Sequence, residues 1–453
     1  MSGATDPAYA WPLRTPHPGH ETYLFDRIGI EGMADLETAR AHGAYETFER
    51  VLEEMEPSEV TAAVKDSGLR GRGGAGFPCG LKWTFMPPLD DPRPRFLAVN
   101  ADESEPGTCK DRVLIRRHPH LLLEGILCAS YAMGITAAHI FIRGEYVEEA
   151  RVLQRAIDEA YAAGWIGADI RGKGFGVDIH LTRGAGAYIC GEETALMEAT
   201  EGKRGHPRPK PPFPAAVGLW GKPTTVNNVE TLCNVPAILA KGVAWYRRIG
   251  TQASPGNVLA GISGHVARPG VYEVPLGITM RRLIEDEAFG GGVRNGKGLK
   301  AFIPGGSSSG FLPPSELDVP LTHDDLKEKG TMLGTASVIV LDEDASIVRA
   351  TRIIADFYHD ESCGQCSQCR EGTGWLARIL ARIERGAGRP EDLDILLEAC
   401  ANMKGKTICV LSDAAAWPVE LALRHFRGEF EEAIDRARTV VGVAAGSGEG
   451  SAS

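Results

Sequence analysis

The stretch Phe96-Leu97-Ala98-Val99-Asn100-Ala101-Asp102-Glu103-Ser104-Glu105 decides the fold. Its first four residues form the short apolar run of a buried strand, and the polar residues directly after them mark that strand's carboxyl end. Outward from it, strand and helix patterns alternate. A helix opened by Pro119 runs from Leu121 to Met133, followed by a strand His139-Ile140-Phe141-Ile142, a helix from Glu148 to Ala163, a strand Val177-Asp178-Ile179-His180-Leu181 and a helix after Gly191. Such alternation with short connections predicts a parallel α/β sheet covered on both faces, with ligands at the carboxyl ends of its strands. Asn100, Asp102, Glu103 and Glu105 stand at such an end. They can receive ribose or ribityl hydroxyls, and their charge repels an extra phosphate, which favours NAD over NADP; an acidic surface loop is the plain alternative.

Two glycine-rich segments flank this core. Gly71-Arg72-Gly73-Gly74-Ala75-Gly76 satisfies G-x-G-x-x-G, but what precedes it looks helical, and Pro78 and Gly80 obstruct the helix that a dinucleotide fingerprint needs. Its permissive backbone still allows close approach to a flat or phosphorylated ligand, and Phe77, Lys82, Trp83 and Phe85 lie just beyond; a flexible surface loop is the alternative. Gly184-Ala185-Gly186-Ala187-Tyr188-Ile189-Cys190-Gly191-Glu192-Glu193 leads into a helix N-terminus, a natural phosphate seat.

The strongest chemical signal is Cys363-Gly364-Gln365-Cys366-Ser367-Gln368-Cys369. Three clustered thiols and one distant ligand suit a [4Fe-4S] cube, whereas a structural zinc, the alternative, more often uses two separated pairs. Thr373 stands where a local fourth cysteine would be expected, so the remaining ligand is remote. Cys400 and Cys409 both qualify by spacing; Cys409 sits in a loop ahead of Ser412-Asp413, and Cys400 ends an apolar helix.

Composition sets the bounds. The chain has 453 residues, 49 Lys and Arg against 60 Asp and Glu, a net charge of −11, 43% apolar residues and ten cysteines. An acidic chain offers nucleic acid no net attraction. The most apolar stretch, Leu121 to Met133, is interrupted by Glu124, Gly125 and Ser130 and falls short of the roughly 20 residues of a membrane span. No export signal is visible, and clustered cysteines fit a metal or redox site in a reducing compartment, which places the chain in the cytoplasm. Residues 1 to about 22 read as an extension, residues 34 to 66 as helices, and residues 203 to 225 as a proline-rich crossing segment. Strands with one short helix near Thr279 to Glu285 make a small α+β module beyond residue 250, and helices follow from Ile347.

Together, Arg70 to Pro78, Asn100 to Gly107, Tyr188 to Leu196, Asn227-Asn228-Val229-Glu230-Thr231 and Glu361 to Cys366 resemble the flavin-bearing, NADH-oxidising subunits of respiratory complex I, over about residues 25 to 440. The same module occurs in NAD-reducing hydrogenases and NAD-dependent formate dehydrogenases. The resemblance implies an N-terminal extension with helices over 1–70, a Rossmann-like α/β domain for FMN and NADH over 71–250, a ubiquitin-like α+β domain over 251–345, a helical bundle carrying a [4Fe-4S] cluster over 346–440, and a disordered tail over 441–453. It implies FMN held by Gly71, Gly73, Lys82, Asn100, Asp102, Tyr188, Gly191, Glu192, Val226, Asn227, Asn228 and Thr231. NADH is then gripped by Gly74, Phe77, Phe85, Glu105, Glu193 and Lys210, and the cluster is bound by Cys363, Cys366, Cys369 and Cys409, with Leu411 nearby.

Further implications concern chemistry and assembly. Hydride passes directly from NADH to FMN and electrons leave singly to the cluster, so no acid–base side chain is expected. No cysteine precedes Cys79 and none follows Cys409. A separate thioredoxin-like [2Fe-2S] subunit and a large multi-cluster Fe–S subunit are therefore implied as partners, in the peripheral arm of an inner-membrane NADH:quinone oxidoreductase. A diaphorase subunit of a soluble hydrogenase or formate dehydrogenase, and a non-catalytic electron relay, are the alternatives. Cys79 departs from the pattern, since relatives usually carry Thr there.

Overall fold

A computed structural model describes residues 19–446, with side chains to residue 435. The alternating pattern folds into a four-stranded, wholly parallel sheet of β1 (Phe96–Ala101), β2 (Ala137–Ile142), β3 (Asp178–Arg183) and β4 (Thr224–Asn228), in the order β3-β2-β1-β4. Successive residues of a strand face opposite ways. Leu97, Val99 and Ala101 accordingly join one core with Leu122, Ile126 and Leu232, while Ala98 joins another with Ala195 and Leu196. The helix Pro119–Met133 begins with Pro at its first position and stops at Gly134, whose φ of 62° is the left-handed geometry that glycine tolerates. β4 is the strand that sequence pattern misses: it is short, polar and preceded by Pro223.

The second sheet contains β5 (Asn257–Gly264), β6 (Gly270–Pro275), β7 (Leu299–Ile303) and β8 (Ser337–Asp342), in the order β6-β5-β8-β7. Its central pair β5/β8 is parallel and its outer pairs are antiparallel, with the helix Met280–Glu285 capped by Thr279. Four helices follow: Ile347–Asp360, Ser367–Glu384, Glu391–Met403 and Leu411–Gly446. The last runs past residue 440, so residues 441–446, expected in a disordered tail, continue the helix; residues 447–453 and 1–18 lie outside the described residues. Among the described residues no helix is long and apolar enough to cross a membrane.

The glycine loop also departs from its expected setting. A helix, Cys79–Trp83, does follow it despite Pro78 and Gly80. Pro78 stands before the first turn, where no helical N–H is lost. Gly80 is needed because a Cβ there would lie 2.3 Å from Lys65 Cα. The loop still lacks a preceding strand, since the helix Pro57–Asp66 comes before it.

Close helix contact sets another glycine. The helix Val229–Lys241 lies against Pro119–Met133, and a Cβ on Gly125 would meet Leu232 O at 2.2 Å. Gly125→Ala should therefore destabilise the chain by about 1–3 kcal/mol through overpacking, read as a lower denaturant midpoint. An unchanged midpoint would refute this packing.

Candidate nucleotide and iron–sulfur site

In the order β3-β2-β1-β4, the chain steps outward from β1 through β2 to β3 and then crosses back to β4 on the other side of β1, and this reversal marks the carboxyl ends of β1 and β4 as the crevice. Register sets Asn100 beside Asn228 and Val99 beside Asn227 across it. Each amide is oriented by a protein partner. Asn100 Nδ2 donates to Gly191 O at 2.8 Å, and Asn100 Oδ1 accepts from the Asp102 N–H at 3.1 Å. Asn227 Oδ1 accepts from Trp83 Nε1 at 3.0 Å, and its Nδ2 points to Cys79 Sγ at 3.5 Å. Asn228 Nδ2 donates to Asp111 Oδ2 at 2.5 Å, while its Oδ1 accepts from the Thr231 N–H at 3.3 Å and so caps the helix Val229–Lys241. Val226 is buried in β4.

The acidic loop divides its labour. Glu103 turns inward, contrary to the expectation of a ligand carboxylate: it accepts the N–H groups of Asp111 and Arg112 at 2.8 and 3.0 Å, capping the helix Lys110–Arg117, which has no side-chain cap of its own. Asp102 instead has a buried Oδ2 with no partner, and burial pushes its carboxyl up to about 7. Gly191 abuts that atom, since a Cβ there would be 3.2 Å from Asp102 Oδ2. An orphaned acceptor in a glycine-walled recess fits a hydroxyl-bearing ligand such as a ribityl chain.

The glycine loop closes the crevice. A Cβ on Gly73 would lie 3.0 Å from Asn228 Cβ, Gly71 N donates to Phe77 O at 2.9 Å, and Gly74, at φ 126°, has open space around it. The buried Arg72 pins the loop from beneath, donating to Asn257 O, Pro255 O, Tyr246 OH and Arg70 O, while Thr231 Oγ1 accepts the Arg72 N–H at 2.8 Å. Arg72 and Asp111 are supports that sequence reading missed, because their partners lie far off in the chain.

The expected phosphate seat at the helix Glu193–Thr200 is corrected. Glu192 Oε2 accepts the N–H groups of Thr194 and Ala195 at 2.8 and 2.9 Å, so a carboxylate of this chain already occupies the first turn. Lys82 pairs with Glu193 at 3.2 Å, and Lys210 with Glu192 and Glu193 at 3.0 and 2.8 Å. Burial raises the Glu193 carboxyl, but Lys82 and Lys210 outweigh it and hold the group below its ordinary range. Phe77 and Phe85 lie 44% and 55% exposed with ring centroids 6.0 Å apart, and Phe213, 60% exposed, follows Lys210 through two prolines. Phe213 is a further candidate; its exposure, invisible in a proline-rich sequence, marks it.

The thiols gather at the start of the helix Ser367–Glu384. Cys369 is buried there, and its thiol is pushed up by burial and by the neighbouring charges of Cys363 and Cys366, against a contact of 3.2 Å with Ser362 Oγ. Ile408 N donates to Cys366 Sγ at 3.4 Å, which brings the Cys409 loop alongside. Cys409 is pushed up to about 12 by burial, then by Glu192, Cys369 and Cys363. Cys400 faces away, with Sγ 3.6 Å from Ala416 O. Among the described residues no three His, Cys, Asp or Glu side chains converge as a single-ion site. The donor set is sulfur alone, with Cys369 facing the charges of Cys363 and Cys366 and Cys409 those of Cys369 and Cys363, the chemistry of a thiolate-bound cluster. A cavity of about 700 Å³ elsewhere, lined by Glu198, Arg208 and Trp220, has its charges paired internally, Arg208 to Glu201 at 2.7 Å for one.

The comparisons with known proteins fall on the same regions of the chain. Residues 64–237 match the Nuo51 FMN-binding domain, residues 349–433 the NADH-ubiquinone oxidoreductase-F iron-sulfur binding region, and residues 259–312 the SLBB domain. The chain is 49% identical over 419 residues to the NADH-quinone oxidoreductase F-subunit 2 of Rhizobium meliloti, covering 92% of this chain and 99% of that one. It is 50% identical over 420 residues to the corresponding F-subunit of Rhodobacter capsulatus, covering 91% and 97%. A solved NAD+-reducing [NiFe]-hydrogenase in the H2-reduced state is similar with a TM-score of 0.78 and 38% identity, over 86% of this chain and 64% of the hydrogenase chain. With the FMN-binding and iron–sulfur regions both matched in order and near-complete coverage of the relatives, the chain belongs to the family of NADH-quinone oxidoreductase F-subunits.

Proposed function

We propose that this chain oxidises NADH for a respiratory NADH:quinone oxidoreductase, and the observation that carries the reading is the orphaned Asp102 Oδ2 at a strand-end crevice in a chain that also gathers four cysteines. When bound, FMN would supply the hydride acceptor and the conversion from two-electron to one-electron chemistry, and a [4Fe-4S] cluster would supply the one-electron carrier. Asp102 accepts a ligand hydroxyl, Asn100, Asn227 and Asn228 present oriented amides, and Gly71, Gly73 and Gly191 leave room for the ring system and its chain. Tyr188, Glu192, Val226 and Thr231 complete the flavin walls. Gly74, Phe77, Phe85, Glu105, Glu193 and Lys210 receive the nucleotide, with the exposed rings excluding water from it. Cys363, Cys366, Cys369 and Cys409 hold the cluster, and Cys400 stays a buried thiol.

The partners are a thioredoxin-like [2Fe-2S] subunit and a large multi-cluster Fe–S subunit, in the cytoplasmic peripheral arm of an inner-membrane complex. The likeness to an NAD+-reducing hydrogenase supports a second reading, a diaphorase subunit; co-purifying subunits decide between the two.

Anaerobic NADH should bleach the flavin absorbance of the purified chain, and a flavin that stays oxidised overturns NADH oxidation in favour of a passive relay. Cys409→Ala should lose cluster iron and the paramagnetic signal of the reduced cluster while Cys400→Ala keeps both; the reverse outcome reassigns the fourth ligand. The Asp102 carboxyl, raised to about 7, gives a pH test. Because the folded group keeps its proton to higher pH than the unfolded one, this group's contribution to the stability of the FMN-free fold is full below about 4 and is lost as pH rises to about 7. A ligand hydroxyl donating to Oδ2 favours the ionised form, so FMN should bind more tightly at pH 8 than at pH 6. Asp102→Asn should abolish that step and weaken FMN about tenfold or more, since a charge-assisted hydrogen bond is worth roughly 1.5–3 kcal/mol. A step that survives in Asp102→Asn contradicts the assignment.

A further inference from the structure

Glu105 is the one nucleotide-site carboxylate whose oxygens are held by three separate parts of the chain. Its Oε2 accepts from Tyr188 OH at 2.6 Å, within the α/β domain. Its Oε1 accepts from the Ser308 N–H at 2.7 Å and from Ser307 Oγ at 3.1 Å, on the turn after β7. The Tyr358 hydroxyl, from the helix Ile347–Asp360, reaches the same Oε1 at 3.4 Å and Ser307 Oγ at 2.8 Å. Gly306, at φ 94°, lets this turn press close: a Cβ there would lie 2.7 Å from Glu105 Cγ. Tyr358 is fully buried. Burial, and then the Glu105 charge, push both phenols well above their ordinary value, so both stay protonated donors through the working pH range.

Three donors around two oxygens, with the Tyr358 hydroxyl behind that of Ser307, leave a carboxylate little freedom to turn, and Ser307, Ser308 and Tyr358 have no other stake in the nucleotide. We infer that Tyr358, with Ser307, is a positioning residue for NADH: a hydroxyl supplied by the cluster-bearing helices fixes the direction in which Glu105 meets the bound nucleotide. This rests on the reading of Glu105 as a nucleotide contact. The nucleotide site is then complete only when the ubiquitin-like module and the first helix of the bundle are docked on the α/β domain. Tyr188 adds a second tie, its backbone N–H donating to Glu361 Oε2 at 2.9 Å, two residues before Cys363.

The test is a double-mutant cycle on the full chain carrying FMN and cluster, with ferricyanide as electron acceptor. Tyr358→Phe removes only an oxygen and should raise the KM for NADH roughly three- to tenfold, about the worth of one neutral hydrogen bond, with kcat, FMN content and cluster signal within about twofold of wild type. Ser307→Ala should act in the same direction and serves where Tyr358→Phe does not fold. In a Glu105→Gln background, neither change should raise KM further, because coupled residues are non-additive. Multiplying effects, or single variants with wild-type KM, overturn the positioning role. If Glu105→Gln itself leaves KM unchanged, Glu105 leaves the nucleotide site and the reading beneath the proposal fails instead.

Discussion

A buried ammonium underlies the strand ends of the crevice. Lys110, 1% exposed, places its ammonium 2.8 Å from Asp111 and 2.7 Å from Glu230, both buried. Burial alone would lower its pKa, but the surrounding carboxylates outweigh that and keep it charged. A buried charge without such partners costs several kcal/mol, so the three groups stand or fall together. From this triad the site is set out. Asp111 turns its other oxygen to Asn228, fixing which end of that amide faces the crevice, and Glu230 accepts the Leu259 N–H at 2.8 Å, seating β5 against the α/β domain. One cation thereby aligns a strand end, a helix start and the neighbouring module.

The same economy joins the two halves of the redox site. Glu192 caps the helix Glu193–Thr200, pairs with Lys210, and lies close enough to Cys409 to shift its thiol. A carboxylate beside a thiol opposes its ionisation, and Lys210, paired with Glu192, offsets that charge. The glycine turn before Glu192 is held from the cysteine side through Glu361. Crevice and sulfurs are thus spanned by short hydrogen bonds rather than by a hinge, as one-electron transfer over a short fixed distance requires.

Local pattern made much of this legible. The first three strands and their helices appear where apolar periodicity places them, because each is short, regular and bounded by Pro119, Gly134 or a polar strand end. The cysteine spacing pointed to the loop before the helix Ser367–Glu384, and the structure brings the Cys409 loop rather than Cys400 beside it. What spacing could not show was which way a side chain turns. Glu103 and Asp102 are neighbours of similar chemistry, yet one caps a helix and the other keeps a buried oxygen without a partner. Glu192 looks like the start of an open helix N-terminus and in fact closes it. β4 escaped notice because Thr and Asn carry no apolar signal, although its polar side chains are what line the crevice.

That last failure has a physical reason that extends beyond one strand. A strand end that serves a polar ligand must give up the apolar alternation by which strands are recognised, and its stability has to come from neighbours instead. Here it comes from Trp83 on Asn227, Asp111 on Asn228 and Arg72 on the loop above, none of them near β4 in the chain. Crevice lining and weak local signal are therefore the same residues viewed twice: the amides at the strand ends are those whose burial only distant partners make tolerable.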